Sequence, residues 1–278
     1  MIRPTPEELA VLSPIERTGY HLGDFFARHA SGWSAAWNST VLVATTWLIV
    51  RRRLQVTGLE HIHALDPRRG TIMVANHRSF FDFFAVECAL FSRTRMSRRL
   101  LFPVRANFFY DHPLGLAINF LMAGMTMFPP IQRDPRKRGF NSYVLRRCAA
   151  EVEQNQIVLG LHPEGARNRS PDPLQLRPGK LGIGEVLLAA PSAQVVPVFL
   201  AGLTNDFGEE LRRNWRTPTL FPIHIGFGAP IDLRDLHDQA TVRRAQREAV
   251  RRAMAGIGDV RERMRPAIEA RARARATQ

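Results

Sequence analysis

The sequence predicts an α/β fold: a mostly parallel sheet flanked by helices, preceded by a membrane-associating helical segment and followed by a basic helical tail. Three observations carry that reading. From residue 70 onward, short apolar runs alternate with longer helix-patterned stretches. Residues 33–53 form an apolar, tryptophan-rich segment that ends on three arginines. From residue 241 the chain is helix-patterned and dominated by arginine. Its 278 residues leave room for one large α/β domain with appendages, and the expected division is 1–54, 55–240 and 241–278.

The first element is a short helix: Thr5 is its cap, Pro6 opens its first turn, and Glu8 stands three residues after the cap. The segment WSAAWNSTVLVATTWLIVRRR follows at 33–53. Its tryptophans and terminal Arg51-Arg52-Arg53 suit a membrane interface with a basic cytoplasmic flank. Its apolar part barely reaches the length of a span and contains Asn38, Ser39 and three threonines, so it is expected to lie on the membrane more readily than to cross it. The alternative is a helix buried in a soluble core.

In the alternating region, TIMVA (71–75), LLFPV (100–104), MTMF (125–128), IVLGLH (157–162), VVPVFLA (195–201) and FPIHIGFG (221–228) read as strands. SFFDFFAVECALF (79–91), PLGLAINFLM (113–122), residues 139–154 and GIGEVLLAA (182–190) read as helices. Pro266 is expected to interrupt the helical tail.

The net charge is +14, and Lys137 and Lys180 are the only lysines among 39 basic residues. That balance predicts partners carrying phosphate: anionic lipid, a phosphorylated substrate or nucleic acid. The alternative for any single arginine is surface decoration. No zinc-finger, RNP or basic-heptad pattern supports nucleic acid. Cys88 and Cys148 stand far apart, which argues against a disulfide scaffold or a cysteine metal site and fits a reducing compartment. His61 and His63 form only an H-x-H pair in an expected loop and read as structural or surface residues, so no metal is expected. MIRPTPEEL has no apolar core behind a basic start, so no secretory signal is expected.

Active sites of open α/β sheets form beyond the carboxyl ends of the strands. Two such junctions are rich in polar groups: Asn76-His77-Arg78-Ser79-Phe80-Phe81-Asp82, and His162-Pro163-Glu164-Gly165-Ala166-Arg167-Asn168-Arg169-Ser170. If Ser79 caps the helix, Asp82 is the third residue inside it and His77 lies just outside, free to fold back onto the carboxylate. An imidazole so paired has a fixed tautomer and a stabilised protonated form, the arrangement of a base with its orienter. No G-x-S-x-G elbow supplies a nucleophile, so the proton would come from a substrate hydroxyl. The alternative is that Asp82 only caps its helix. At the second junction, Arg167 offers a fork for phosphate, and Arg133 follows another expected strand.

Together these blocks resemble the glycerolipid acyltransferases typified by 1-acylglycerol-3-phosphate acyltransferase. The resemblance rests on Asn76-His77…Asp82, Ile131-x-Arg133, Pro163-Glu164-Gly165-Ala166-Arg167 and Val196-Pro197-Val198, and spans roughly residues 56–204. Arg105 stands where the family often has lysine, and Lys180 and Gly182 match a lysine and glycine before the last block. Ala166-Arg167-Asn168 replaces Thr-Arg-Ser, His162 replaces an apolar or aromatic residue, and Pro130 takes an aromatic position.

The resemblance implies O-acyl transfer from an acyl thioester, on coenzyme A or acyl carrier protein, to a lysophospholipid or glycerol-phosphate-type acceptor. His77 is implied as the general base and Asp82 as its orienter, with Arg133, Glu164, Gly165, Arg167 and Lys180 binding substrate. No bound cofactor is implied. The partners expected are membrane lipids and the acyl carrier, on the cytoplasmic face of a membrane. Two rivals remain: a non-catalytic lipid-binding or membrane-tethering member of the fold, and a nucleic-acid-binding protein.

Overall fold

The computed structural model describes residues 2–276. Strands β1 (Leu54–Thr57), β2 (Thr71–Ala75), β3 (Leu100–Leu101), β4 (Val104–Arg105), β5 (Pro130–Ile131), β6 (Val158–Leu161), β7 (Gln194–Ala201) and β8 (Ile223–Phe227) follow one another along the chain. Six make one sheet in the order β1-β8-β7-β2-β6-β3, while β4 and β5 pair separately. Every neighbouring pair is parallel except β7 with β8.

The helices before the sheet are α1 (Pro6–Ala10), α2 (Pro14–His29), α3 (Ser31–Trp37) and α4 (Val43–Val50), with a π turn at Asn38–Leu42 between the last two. Within and after it come α5 (Leu59–His63), α6 (Asp82–Arg93), the single turn α7 (Ala106–Phe109), α8 (Pro113–Ala123), α9 (Arg138–Asn155), α10 (Leu181–Leu188), α11 (Phe207–Arg216) and α12 (Arg243–Ala276).

The two-residue period of the strands divides the core between the two faces of the sheet. Ile72 and Val74 of β2, with Val195 and Phe199 of β7, face one apolar cluster that α9, α10 and α12 close. Met73 and Ala75, with Val196, Val198 and Leu200, face the other, closed by α4 and α6. Both faces of the central strands are covered, which is why these strands read as unbroken apolar runs. The basic tail also contributes here: Ala249, Ala253, Ile257 and Val260 bury one stripe of α12 against the sheet.

The expected elements recur, with five differences. His61 and His63 lie in the short helix α5 and not in a loop. LLFPV splits at Pro103 into β3 and β4, which belong to different sheets. MTMF is not a strand: Met125 has φ of 64° and the Thr126 N–H returns to the Ala123 carbonyl, which makes this stretch a turn. Helix α12 continues through Pro266. Helix α6 begins at Asp82, two residues later than a Ser79 cap would require. The Ser79 hydroxyl donates to the Thr204 carbonyl in the loop after β7, and its oxygen accepts the Phe81 N–H at 3.1 Å. Among the described residues, no helix is long and apolar enough to cross a membrane.

Candidate active site

The strand order puts β2 between β6 and β7, so their carboxyl ends converge. Asn76 closes β2. Its side-chain amide donates to the Leu200 carbonyl at 2.9 Å and accepts the Leu200 N–H at 2.7 Å, extending the ladder to β7 by one buried pair. The chain then leaves the sheet at His77.

His77 Nδ1 lies 3.0 Å from Asp82 Oδ2. The same oxygen accepts the backbone N–H groups of Arg78 at 2.8 Å and Ser79 at 2.9 Å. Three donors therefore fold the 77–79 turn around one carboxylate at the head of α6, where the helix dipole favours negative charge. Burial pushes the Asp82 carboxyl up to about 6, and burial, followed by the Arg167 guanidinium, pushes the His77 imidazole down to about 4. At neutral pH the carboxylate is ionised and the imidazole is neutral. The Nδ1 hydrogen then points at Asp82, and Nε2 keeps its lone pair.

A second imidazole lies against the first. The rings of His77 and His162 are stacked, with centroids 3.9 Å apart and planes 12° apart. His77, Asp82 and His162 offer ligand atoms within 4.8 Å of one another, which is metal-like spacing. The stacking argues against a shared ion, because an ion common to both rings would lie well out of both ring planes.

Glu164 is fully buried, with burial raising its carboxyl above the usual range. One of its oxygens accepts the His77 N–H at 3.3 Å and the other accepts the Arg177 N–H at 3.0 Å. Gly165 has φ of +66°, and a Cβ there would come within 3.0 Å of the Lys180 stem, so the turn favours glycine twice over. The Lys180 N–H donates to the Pro163 carbonyl at 2.8 Å, while its side chain is exposed.

Beyond this junction lies a cleft of about 690 Å³. Arg133 and Arg167 line it together with Arg105, Arg169 and Arg177. None of the five makes an ion pair among the described residues. Glu164, Gly165 and Lys180 brace the turn beside the cleft and do not line it. On the other side of the turn, Phe80 and Phe81 line an apolar pocket of about 480 Å³ walled by Val41, Thr45 and Ile49 from the N-terminal helices. Asn205 bridges the two sides, accepting from Arg167 Nη1 at 2.6 Å and from the Phe80 N–H at 3.0 Å.

Arg177 and Asn205 carry no local signal in the sequence, since only tertiary folding brings them to the turn. His162 did have a signal: a polar ring at a position expected to be apolar or aromatic.

An imidazole and a carboxylate thus stand paired beyond the carboxyl ends of a mostly parallel sheet. The chain matches the acyltransferase family model over residues 53–201, more than half its length, and belongs to that family. No curated protein matches it. Among solved structures it is similar to the crystal structure of the 1-acyl-sn-glycerophosphate (LPA) acyltransferase PlsC from Thermotoga maritima. The identity is 16%, the TM-score is 0.44, and the alignment covers 88% of this chain and 95% of that one.

Proposed function

We propose that this acyltransferase moves a fatty acyl group from an acyl thioester, on coenzyme A or acyl carrier protein, to a hydroxyl of a lysophospholipid or glycerol-phosphate-type acceptor. The observation that carries the reading is the His77–Asp82 contact at 3.0 Å, made by a turn that borders an arginine cleft on one side and an apolar pocket on the other. His77 Nε2 takes the proton of the acceptor hydroxyl as its oxygen attacks the thioester carbonyl carbon. Asp82 stabilises the imidazolium that forms. The tetrahedral intermediate collapses, the C–S bond breaks, and the departing thiolate takes the proton from His77 as a free thiol.

Arg133 and Arg167 hold the phosphate of the acceptor, with Arg105, Arg169 and Arg177 adding to the field of the same cleft. Glu164, Gly165 and Lys180 act indirectly, by fixing the turn that carries Arg167 and the backbone of His77. The apolar pocket accommodates an acyl chain, for which it offers aromatic and aliphatic walls.

The chain works at a membrane surface. Trp47 and Leu48 of α4 are exposed, as are Phe207, Leu211 and Trp215 spaced four residues apart along α11. The Arg51 guanidinium lies 4.2 Å from the Trp47 ring and 5.4 Å from the Trp215 ring, joining the two helices at one face. Exposed tryptophans beside unpaired arginines suit the headgroup region of an anionic leaflet.

The test is to incubate the purified chain with acyl-CoA or acyl carrier protein and a panel of lysolipids with and without phosphate. Thiol release and product mass are then measured. Acylated phospholipid is expected from a phosphorylated acceptor. Lipid binding without thiol release from any donor would instead mark a non-catalytic member.

A further inference from the structure

The stacked histidine next to the base belongs neither to the expected catalytic pair nor to the substrate-binding set. We propose that His162 is a positioning residue for His77: by stacking on that imidazole it fixes the plane of the ring. The proposal rests on the reading of His77 as the base.

His162 is itself held in place. Its Nδ1 lies 3.0 Å from the Ala75 carbonyl. A carbonyl only accepts, so Nδ1 carries the hydrogen and the tautomer is fixed. Ala75 ends β2 two residues before His77, so this bond ties the end of β6 to the strand that delivers the base. The Phe83 ring packs against the same imidazole at 4.6 Å. Gly160 makes room for it, because a Cβ at that position would fall 2.6 Å from the Phe83 ring. The base is thus stacked on a ring that cannot easily move.

The two restraints on His77 differ in kind. The Asp82 bond anchors one nitrogen but leaves the ring free to swivel about that contact. A parallel ring at 3.9 Å removes the swivel. Edge and plane together aim Nε2, and misplacement by about 1 Å costs on the order of 10²-fold in rate. Phenylalanine at residue 162 could stack, but it could not make the bond to Ala75.

The charges around the pair decide which rings are protonated. The ionisable groups facing His77 are Asp82 from α6, His162 and Arg167 from the segment after β6, and Glu164 through the His77 N–H. Arg78, its chain neighbour, adds another positive charge. Two imidazoliums in van der Waals contact repel strongly, so the pair carries at most one proton over most of the pH range. Burial pushes His162 down to about 3, with the charge of His77 adding to the effect. His162 is therefore neutral where His77 and Asp82 titrate, and what it gives the pair is a fixed flat ring and not a charge.

The experiment compares His162→Ala and His162→Phe with the unaltered chain and with His77→Ala. Acyl transfer from acyl-CoA to a lysophospholipid is followed between about pH 4.5 and 8, around the ordinary histidine range. Thermal melting checks the fold of each variant. His162→Ala is expected to lower kcat by about 10–100-fold with KM within about twofold, because the ring plane is lost. His162→Phe restores most of kcat through stacking and leaves the acid limb of kcat/KM within about half a unit of its place. If His162→Phe is as slow as His162→Ala, or His162→Ala leaves kcat unchanged, the proposal is overturned. Should His162→Ala fail to fold, His162→Leu, which fills the space without a flat ring, replaces it in the comparison with His162→Phe. Activity retained in His77→Ala overturns the base assignment itself, whereas an inactive His77→Ala beside silent residue-162 variants overturns only the role of His162.

Discussion

The arginine cleft and the apolar pocket are comparable in size, about 690 and 480 Å³, and opposite in chemistry. The cleft is built from loops after strands and carries five guanidiniums without carboxylate partners among the described residues. The pocket is built from helix faces and is walled mainly by aliphatic and aromatic side chains. The turn from Asn76 to Asp82 touches both: the His77 carbonyl accepts from Asn168, which lines the cleft, and Phe80 and Phe81 line the pocket. On the proposed function, the difference lets charge and chain length be recognised separately while one short turn holds the base between them.

The largest effect is expected where the two regions meet. His77→Ala should lower kcat by ~10²–10⁴-fold, the range for a positioned general base, while leaving KM for donor and acceptor nearly unchanged. Steady-state kinetics check this, and a large rise in KM with kcat preserved would assign His77 to binding. The pH profile sharpens the point. On the proposed mechanism, the competent pair has Asp82 ionised and His77 neutral. Activity should be full at neutral pH, should fall as Asp82 protonates near about 6, and should vanish as His77 protonates near about 4.

The next effect separates the cleft from the pocket by charge. Loss of a charge-assisted hydrogen bond is worth ~1.5–3 kcal/mol, or about 10–10²-fold. Arg167→Ala should cost about that much in kcat/KM for a phosphorylated lysolipid and little for the same lipid without its phosphate. Arg167→Lys should recover only part of the loss, since lysine lacks the fork. Equal losses on both acceptors would make Arg167 a brace for Asn205 and the Phe80 turn.

A smaller effect, of opposite selectivity, is expected from the pocket. Thr45→Trp narrows it from the α4 side. At about 0.8 kcal/mol per buried methylene, excluding two or three of them should lower kcat/KM for long acyl donors about 10-fold or more. Short donors and the phosphate preference should be spared. A variant that slows all chain lengths alike would show that the pocket is not where the chain lies.

The smallest effect concerns the outer face shared by α4 and α11. Trp215→Glu should reduce binding to vesicles of mixed neutral and anionic phospholipid by about tenfold or less, roughly the value of one partly buried aromatic side chain. Binding should also weaken as salt rises. Turnover of a dispersed short-chain substrate should persist. Unchanged vesicle sedimentation would remove α11 from the membrane face.

The sequence by itself determined the central strands and most of the helices between them, because a central parallel strand must be apolar on both faces and a helix shows its 3.6-residue period locally. The capping box of Thr5 and Glu8 was legible for the same reason, as its whole geometry lies within four residues. The proximity of His77 and Asp82 was legible too, because a turn five residues long leaves few ways to separate them. Only the tertiary structure decided that β8 runs antiparallel to β7, since strand direction depends on how the chain crosses from α11. It also decided that the Ser79 hydroxyl donates to the Thr204 carbonyl, because that acceptor lies 125 residues away in the sequence. Arg105, Arg133, Arg167 and Arg177 meet in one cleft, and His162 stacks on His77 across 85 residues of sequence, for the same physical reason. Strand adjacency is set by burial of the whole sheet, and local spacing carries no record of which strand ends will converge.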